Sequence, residues 1–150
     1  MSNRILIIDD DPDVVEMLKA FVVRLSEDIL TVTTTRNIER QFLEFEPDLV
    51  LLDLHMPNVD GLEVLRRLAG IRSRLGFVPI IVMTRDMTRA ARYSSLALGA
   101  DDFLVKPLDR SEVILRVRNL LRTRHLTVEL AEAKEAAERR GGSDQPREAN

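Results

Sequence analysis

Four apolar runs in this chain end in residues that could carry phosphoryl chemistry. Ile5-Leu6-Ile7-Ile8 runs directly into Asp9-Asp10-Asp11, and Leu49-Val50-Leu51-Leu52 ends in Asp53. Pro79-Ile80-Ile81-Val82-Met83 ends in Thr84, and Phe103-Leu104-Val105 ends in Lys106, just before Pro107. Carboxylates brought together repel one another unless positive charge lies among them. A hard divalent cation is the first expectation, and Mg²⁺ suits two or three carboxylates completed by waters and phosphate oxygens. An ammonium and a hydroxyl at the same point would orient a transferring phosphoryl group and neutralise its charge. A carboxylate can itself be the nucleophile, which gives an acyl phosphate.

These residues can act together only if the chain brings the ends of the runs to one edge. Five strand-like runs recur, at Ile5–Ile8, Ile29–Val32, Leu49–Leu52, Val78–Met83 and Phe103–Val105. Helical periodicity fills the intervals. In the first, Val14, Leu18, Phe21, Val22 and Leu25 mark one face, with Asp11 as N-cap and Pro12 at the first helical position. Further helices are expected over 37–45, 62–69, 88–98 and 111–121. Strict alternation of this kind predicts an α/β fold, a doubly wound parallel sheet with helices on both faces. Right-handed crossovers place every strand-to-helix loop at one edge, where open sheets put their ligand sites.

The α/β domain is expected over 4–122. The composition shifts after Arg122. Residues 123–140 contain no Gly or Pro and are rich in Ala, Glu and Arg, which predicts a helix. Leu126, Leu130, Ala133 and Ala137 follow a 4-3-4 spacing, about two heptads of a short seam. This seam is out of phase with Val113, Val117 and Leu120, so a core helix is expected to hand over to a separate helical extension. Residues 141–150 are expected to be disordered.

The 150 residues suffice for one domain with a sizeable core. A net charge of −3 argues against nucleic acid as a bulk electrostatic partner. Absence of cysteine excludes disulfides and thiolate metal sites, and two histidines, His55 and His125, are too few for a histidine-rich zinc site. No apolar run is long enough for a membrane span, and no signal-peptide core follows Met1, so a cytoplasmic location is expected.

The ordered set Ile7-Ile8-Asp9-Asp10-Asp11-Pro12, Leu51-Leu52-Asp53-Leu54-His55-Met56-Pro57 with Asp60-Gly61, Val82-Met83-Thr84, and Gly99-Ala100-Asp101-Asp102-Phe103-Leu104-Val105-Lys106-Pro107 resembles the receiver domain of two-component response regulators. Each piece alone is unspecific; their order and spacing together are highly specific. The resemblance implies a flavodoxin-like strand order 2-1-3-4-5. It implies that Asp53 accepts a phosphoryl group from a sensor histidine kinase or a phosphotransfer protein. Asp10 and Asp53 would ligate Mg²⁺ directly, Asp9 through water, and His55 through its backbone carbonyl. Lys106 would hold a phosphate oxygen, Thr84 would swing inward to the phosphoryl group, and Phe103 would rotate behind it. The surface of the fourth helix, fifth strand and fifth helix would then switch, controlling a partner or serving, like the C-terminal helix, for homodimer pairing.

Two departures stand beside this pattern. The small residue usual after the switch hydroxyl is replaced by Arg85, followed by Asp86, and either, with His55, could modulate phosphoryl lifetime. Phe103 lacks the hydroxyl of the commoner tyrosine. Asp101, Asp102 and Asp109 are expected in turns or caps, Asp60 at a helix start, and His125 exposed on a helix. Residues 122–126 are similar to linkers that lead into diguanylate cyclase, phosphodiesterase or kinase modules, so output through the domain's own surface and output through a larger protein both stand. Other classes are an aspartyl-nucleophile phosphatase, which usually carries a second Asp where His55 stands, an adaptor that works without phosphorylation, and a flavin-binding domain, for which aromatics are few and no glycine-rich phosphate loop follows the first strand.

Overall fold

A computed structural model describes residues 3–142. Strands and helices alternate in chain order as β1 (Arg4–Ile8), α1 (Pro12–Val22), β2 (Asp28–Val32), α2 (Ile38–Phe45), β3 (Leu49–Asp53), α3 (Gly61–Ile71), β4 (Ile80–Thr84), α4 (Arg89–Ala97), β5 (Asp102–Val105) and α5 (Arg110–Gly142). The five strands form one parallel sheet in the order β2-β1-β3-β4-β5. Every expected element is present, with ends moved by one to three residues except at α5.

Alternation of side chains along each central strand feeds two cores, because both faces of the sheet are covered. Leu6, Ile8, Val50, Leu52 and Val82 pack with Ile38 and Phe42 of α2 and Val64, Leu65 and Leu68 of α3. Ile5, Ile7, Leu49, Leu51, Ile81 and Met83 pack with Val15, Leu18 and Val22 of α1 and Val113, Val117 and Leu121 of α5. In α1 the buried stripe begins at Val15; Val14, expected on it, is only partly covered.

Helix starts follow local chemistry. The Asp11 carboxylate accepts the Asp13 N–H at 2.9 Å, with Pro12 opening α1. Asp60 likewise accepts from Leu62 and Glu63 at the head of α3. Gly61 is required there, since a Cβ would lie 2.5 Å from the backbone of Leu54. This close approach sets the path of the loop leaving Asp53.

The expected hand-over near Arg122 does not occur: α5 is one uninterrupted helix of 33 residues, about 50 Å long at the usual rise. The physical reason lies at Arg124 and His125, which tie the helix to the domain beyond the last core residue. The Arg124 guanidinium donates to Asp48 at 2.8 Å and to the carbonyls of Leu75 and Phe77 at 3.2 and 2.7 Å. His125 Nε2 lies 2.6 Å from Asn3 Oδ1, so this histidine is half-buried rather than exposed. Past it, Leu126 and Leu130 of the 4-3-4 seam stand exposed. Of the residues expected to be disordered, 141 and 142 instead close α5, since the helix runs on without a break, and 143–150 lie outside the described residues. No described helix is long and apolar enough to cross a membrane.

Candidate functional site

Strand register brings the chemistry together. Ile8 pairs with Leu52 across β1 and β3, so Asp9 and Asp53, the next residues on each, end side by side. Thr84 pairs with Val105, and the N–H of Lys106 donates to the Thr84 carbonyl at 2.8 Å, which carries Lys106 to the same edge. Asp9, Asp10 and Asp53 each offer a carboxylate oxygen, and these oxygens lie within 4.8 Å of one another. Asp9 and Asp53 are buried and Asp10 is exposed. The three carboxylates, with Asp11, Pro12, His55, Pro57, Arg85 and Lys106, line an open cleft of about 370 Å³.

The Lys106 ammonium stands 3.2 Å from Asp9 Oδ2 and 3.3 Å from Asp53 Oδ1, partly neutralising the pair. One monovalent cation does not balance three carboxylates. Burial raises the Asp9 carboxyl above the ordinary aspartate range, and the Asp53 charge adds to this. The Asp11 N–H, donating at 3.0 Å, and the Lys106 ammonium oppose the rise without cancelling it. A buried carboxylate that resists ionisation beside two others, all hard oxygen donors open to solvent at Asp10, fits a small divalent cation such as Mg²⁺.

Two loops complete the edge. The His55 N–H donates to Asp53 Oδ1 at 3.0 Å, which orients the carboxylate. The Thr84 side chain is drawn away from the acidic cleft: it lines a neighbouring cleft between the starts of α3 and α4, with His55, Asp86 and Thr88. There Thr84 Oγ1 lies 2.8 Å from His55 Nε2 and accepts the Asp86 N–H at 3.0 Å. This contact between a histidine and the candidate switch hydroxyl left no signal in the sequence, because the two lie on different loops.

Arg85 lies on the cleft rim, exposed, and makes no ion pair with Asp86 and no hydrogen bond with His55 among the described residues. Asp86 instead turns to the start of α4, where the Thr88 N–H donates to it at 2.9 Å and holds its carboxyl below the ordinary range. Phe103 is half-buried against the α2/α3-side core, its ring covered by Arg92 at 4.6 Å and Arg116 at 6.0 Å. Arg116 is fixed in turn by Asp102, at 2.8 and 3.0 Å. Asp101 is more than a turn residue: it pairs with Arg72 at 2.8 Å and accepts the Ile80 N–H at 2.8 Å. Asp109 caps α5 as expected.

Comparison with known proteins places this geometry. Residues 5–118 match the response regulator receiver domain family. The chain is 36% identical over 133 residues to the transcriptional regulatory protein SrrA of Staphylococcus aureus, covering 88% of the chain and 54% of SrrA. It is 33% identical over 126 residues to the transcriptional regulatory protein GltR of Pseudomonas aeruginosa, covering 84% of the chain and 52% of GltR. The chain thus spans about half the length of these relatives. Among solved structures, the BeF3-activated N-terminal receiver domain of Klebsiella pneumoniae RstA superposes with a TM-score of 0.71 at 29% identity, over 80% of this chain and 99% of that one.

Proposed function

Because the chain belongs to the response regulator receiver domain family, we propose that it is a phosphoacceptor: Asp53 takes a phosphoryl group from a sensor histidine kinase or phosphotransfer protein. The observation that carries this reading is the convergence of Asp9, Asp10, Asp53 and Lys106 from the ends of three strands at one solvent-open edge. An oxygen of the Asp53 carboxylate attacks phosphorus, the bond from phosphorus to the donor imidazole nitrogen breaks, and its electron pair stays on that imidazole. The product is an acyl phosphate on Asp53 and a free histidine on the donor. Lys106, already between Asp9 and Asp53, moves to the incoming phosphoryl oxygens.

Asp10 and Asp53 would hold Mg²⁺ directly, Asp9 through water, and His55 through its carbonyl. Bound there, the cation would neutralise charge on the transferring group and on the carboxylates that surround it. The phosphorylated Asp53 then draws Thr84 inward, and Phe103 follows, which resets the surface of α4, β5 and α5. Differential binding of this kind is what shifts a two-state equilibrium, and a nearly complete switch needs about 5.5 kcal/mol.

The domain turns over only its own phosphoryl group. Its reach is proposed to be cytoplasmic, with output through the α4/β5/α5 face, through pairing of two copies there or along α5, or through a larger protein. SrrA and GltR are named as transcriptional regulators; for the residues described here no direct nucleic-acid contact is proposed. Against phosphatase turnover of an external substrate stands His55, in the place of a second acidic group. Phosphorylation by a small-molecule donor, with Asp53 replaced as the control, tests the proposal.

A further inference from the structure

We infer that His55 is a positioning residue that holds Thr84 in its outward orientation, so that phosphorylation of Asp53 must break the His55–Thr84 contact before the switch can complete. The inference rests on the phosphoacceptor reading above and assigns a role to a side chain that reading leaves unused.

Three observations carry it. The imidazole Nε2 lies 2.8 Å from Thr84 Oγ1, at full hydrogen-bond distance. Thr84 Oγ1 also accepts the Asp86 N–H at 3.0 Å, so a hydroxyl with one proton and two lone pairs is engaged twice on the side away from the acidic cleft. Thr84 itself is buried and lines the α3/α4-side cleft but not the acidic one, whereas His55 lines both. His55 therefore touches both the candidate phosphoacceptor and the hydroxyl that must reach it.

The same residue is tied to the other partner. Its N–H donates to Asp53 Oδ1 at 3.0 Å while its ring holds Thr84. A change at the Asp53 carboxylate is thus felt by the backbone that carries the ring. In the unphosphorylated protein this arrangement biases the equilibrium toward the outward state. Removal of the ring leaves the Asp53 contact and the backbone carbonyl in place, so the effect on Thr84 can be separated from any effect on metal binding. Because His55 is exposed, its replacement leaves both cores untouched.

The test uses beryllofluoride with Mg²⁺ as the phosphoryl mimic. Its affinity is measured by calorimetry for the wild type, His55→Ala, Thr84→Ala and the double variant, with His55→Gln as the conservative replacement. Loss of one hydrogen bond from the outward state should tighten binding to His55→Ala by about threefold to tenfold. In the Thr84→Ala background the same replacement should change affinity little, because neighbours that act through one contact are not additive. His55→Gln, which restores a polar group near the Nε2 position, should return toward wild-type affinity. The imidazole nitrogen resonance of His55 should also shift when beryllofluoride is added to the wild type. Equal effects of His55→Ala in both backgrounds, or weaker binding on loss of the ring, would overturn the inference alone. Failure of the wild type to bind beryllofluoride with Mg²⁺ would overturn the phosphoacceptor reading with it.

Discussion

The ammonium of Lys106 and the carboxylate of Asp9, 97 residues apart in the chain, meet at 3.2 Å with both side chains almost fully covered. Their partnership extends to Asp53, so the lysine holds two buried acids in place before any ligand arrives. Truncating such a cation leaves buried charge uncompensated. Lys106→Met should destabilise the fold by roughly 3–5 kcal/mol without added metal. Urea unfolding of the two proteins, with and without Mg²⁺, checks this: the deficit should shrink when Mg²⁺ supplies the missing charge.

A pH dependence follows from Asp9. Its folded-state pKa is raised, chiefly by burial, so the folded chain keeps that proton to higher pH than the unfolded chain does. The linked stability is present below the ordinary aspartate range and is lost as pH rises through the folded value. The metal-free protein should therefore lose part of its stability as pH rises from the ordinary aspartate range toward that value. Asp9→Asn should flatten this loss. Melting temperatures across acidic pH, with chelator present, measure it.

Gly61→Ala should be costly for a reason unrelated to charge. The added Cβ would meet the Leu54 backbone at 2.5 Å, and backbone cannot yield as a flexible side chain can. Overpacking of this kind costs about 1–3 kcal/mol. Because Leu54 follows Asp53 directly, the substitution should also slow phosphorylation, as single-turnover labelling would register.

At the opposite edge of the sheet, Arg124 gathers Asp48 and two carbonyls in a half-buried cluster. Arg124→Ala should cost about 2 kcal/mol by leaving those acceptors unpaired. Hydrogen exchange should show the amides of α5 beyond Leu121 opening faster, while phosphorylation of Asp53 proceeds at the wild-type rate.

The exposed guanidinium of Arg85 on the cleft rim should influence how water reaches the acyl phosphate. Arg85→Ala is expected to change the autodephosphorylation rate severalfold, followed as loss of the phosphorylated mass with time. An unchanged rate would place Arg85 outside the site's chemistry.

Much of this was legible in the sequence because the informative residues sit at strand ends. Buried parallel strands read as continuous apolar runs, so Asp9, Asp53, Thr84 and Lys106 mark their own termini, and topology brings them together. The caps at Asp11, Asp60 and Asp109 were legible because capping is local. What escaped depends on contacts between distant segments. The Arg124 cluster needs β3 and the loop before β4 folded against α5, and the two-heptad seam suggested a break where the helix continues. The Val14–Val15 difference is one position of helical phase. The His55–Thr84 contact joins two loops whose spacing carries no periodic signal.

Intact-mass spectrometry after incubation with acetyl phosphate and Mg²⁺, on the wild type and Asp53→Ala, addresses the central proposal most directly. A single labile phosphoryl adduct on the wild type, missing in Asp53→Ala and missing when Mg²⁺ is chelated, is the expected result. An adduct of equal yield on Asp53→Ala, or no adduct with acetyl phosphate or with any histidine-kinase donor, would contradict a phosphoacceptor role for Asp53.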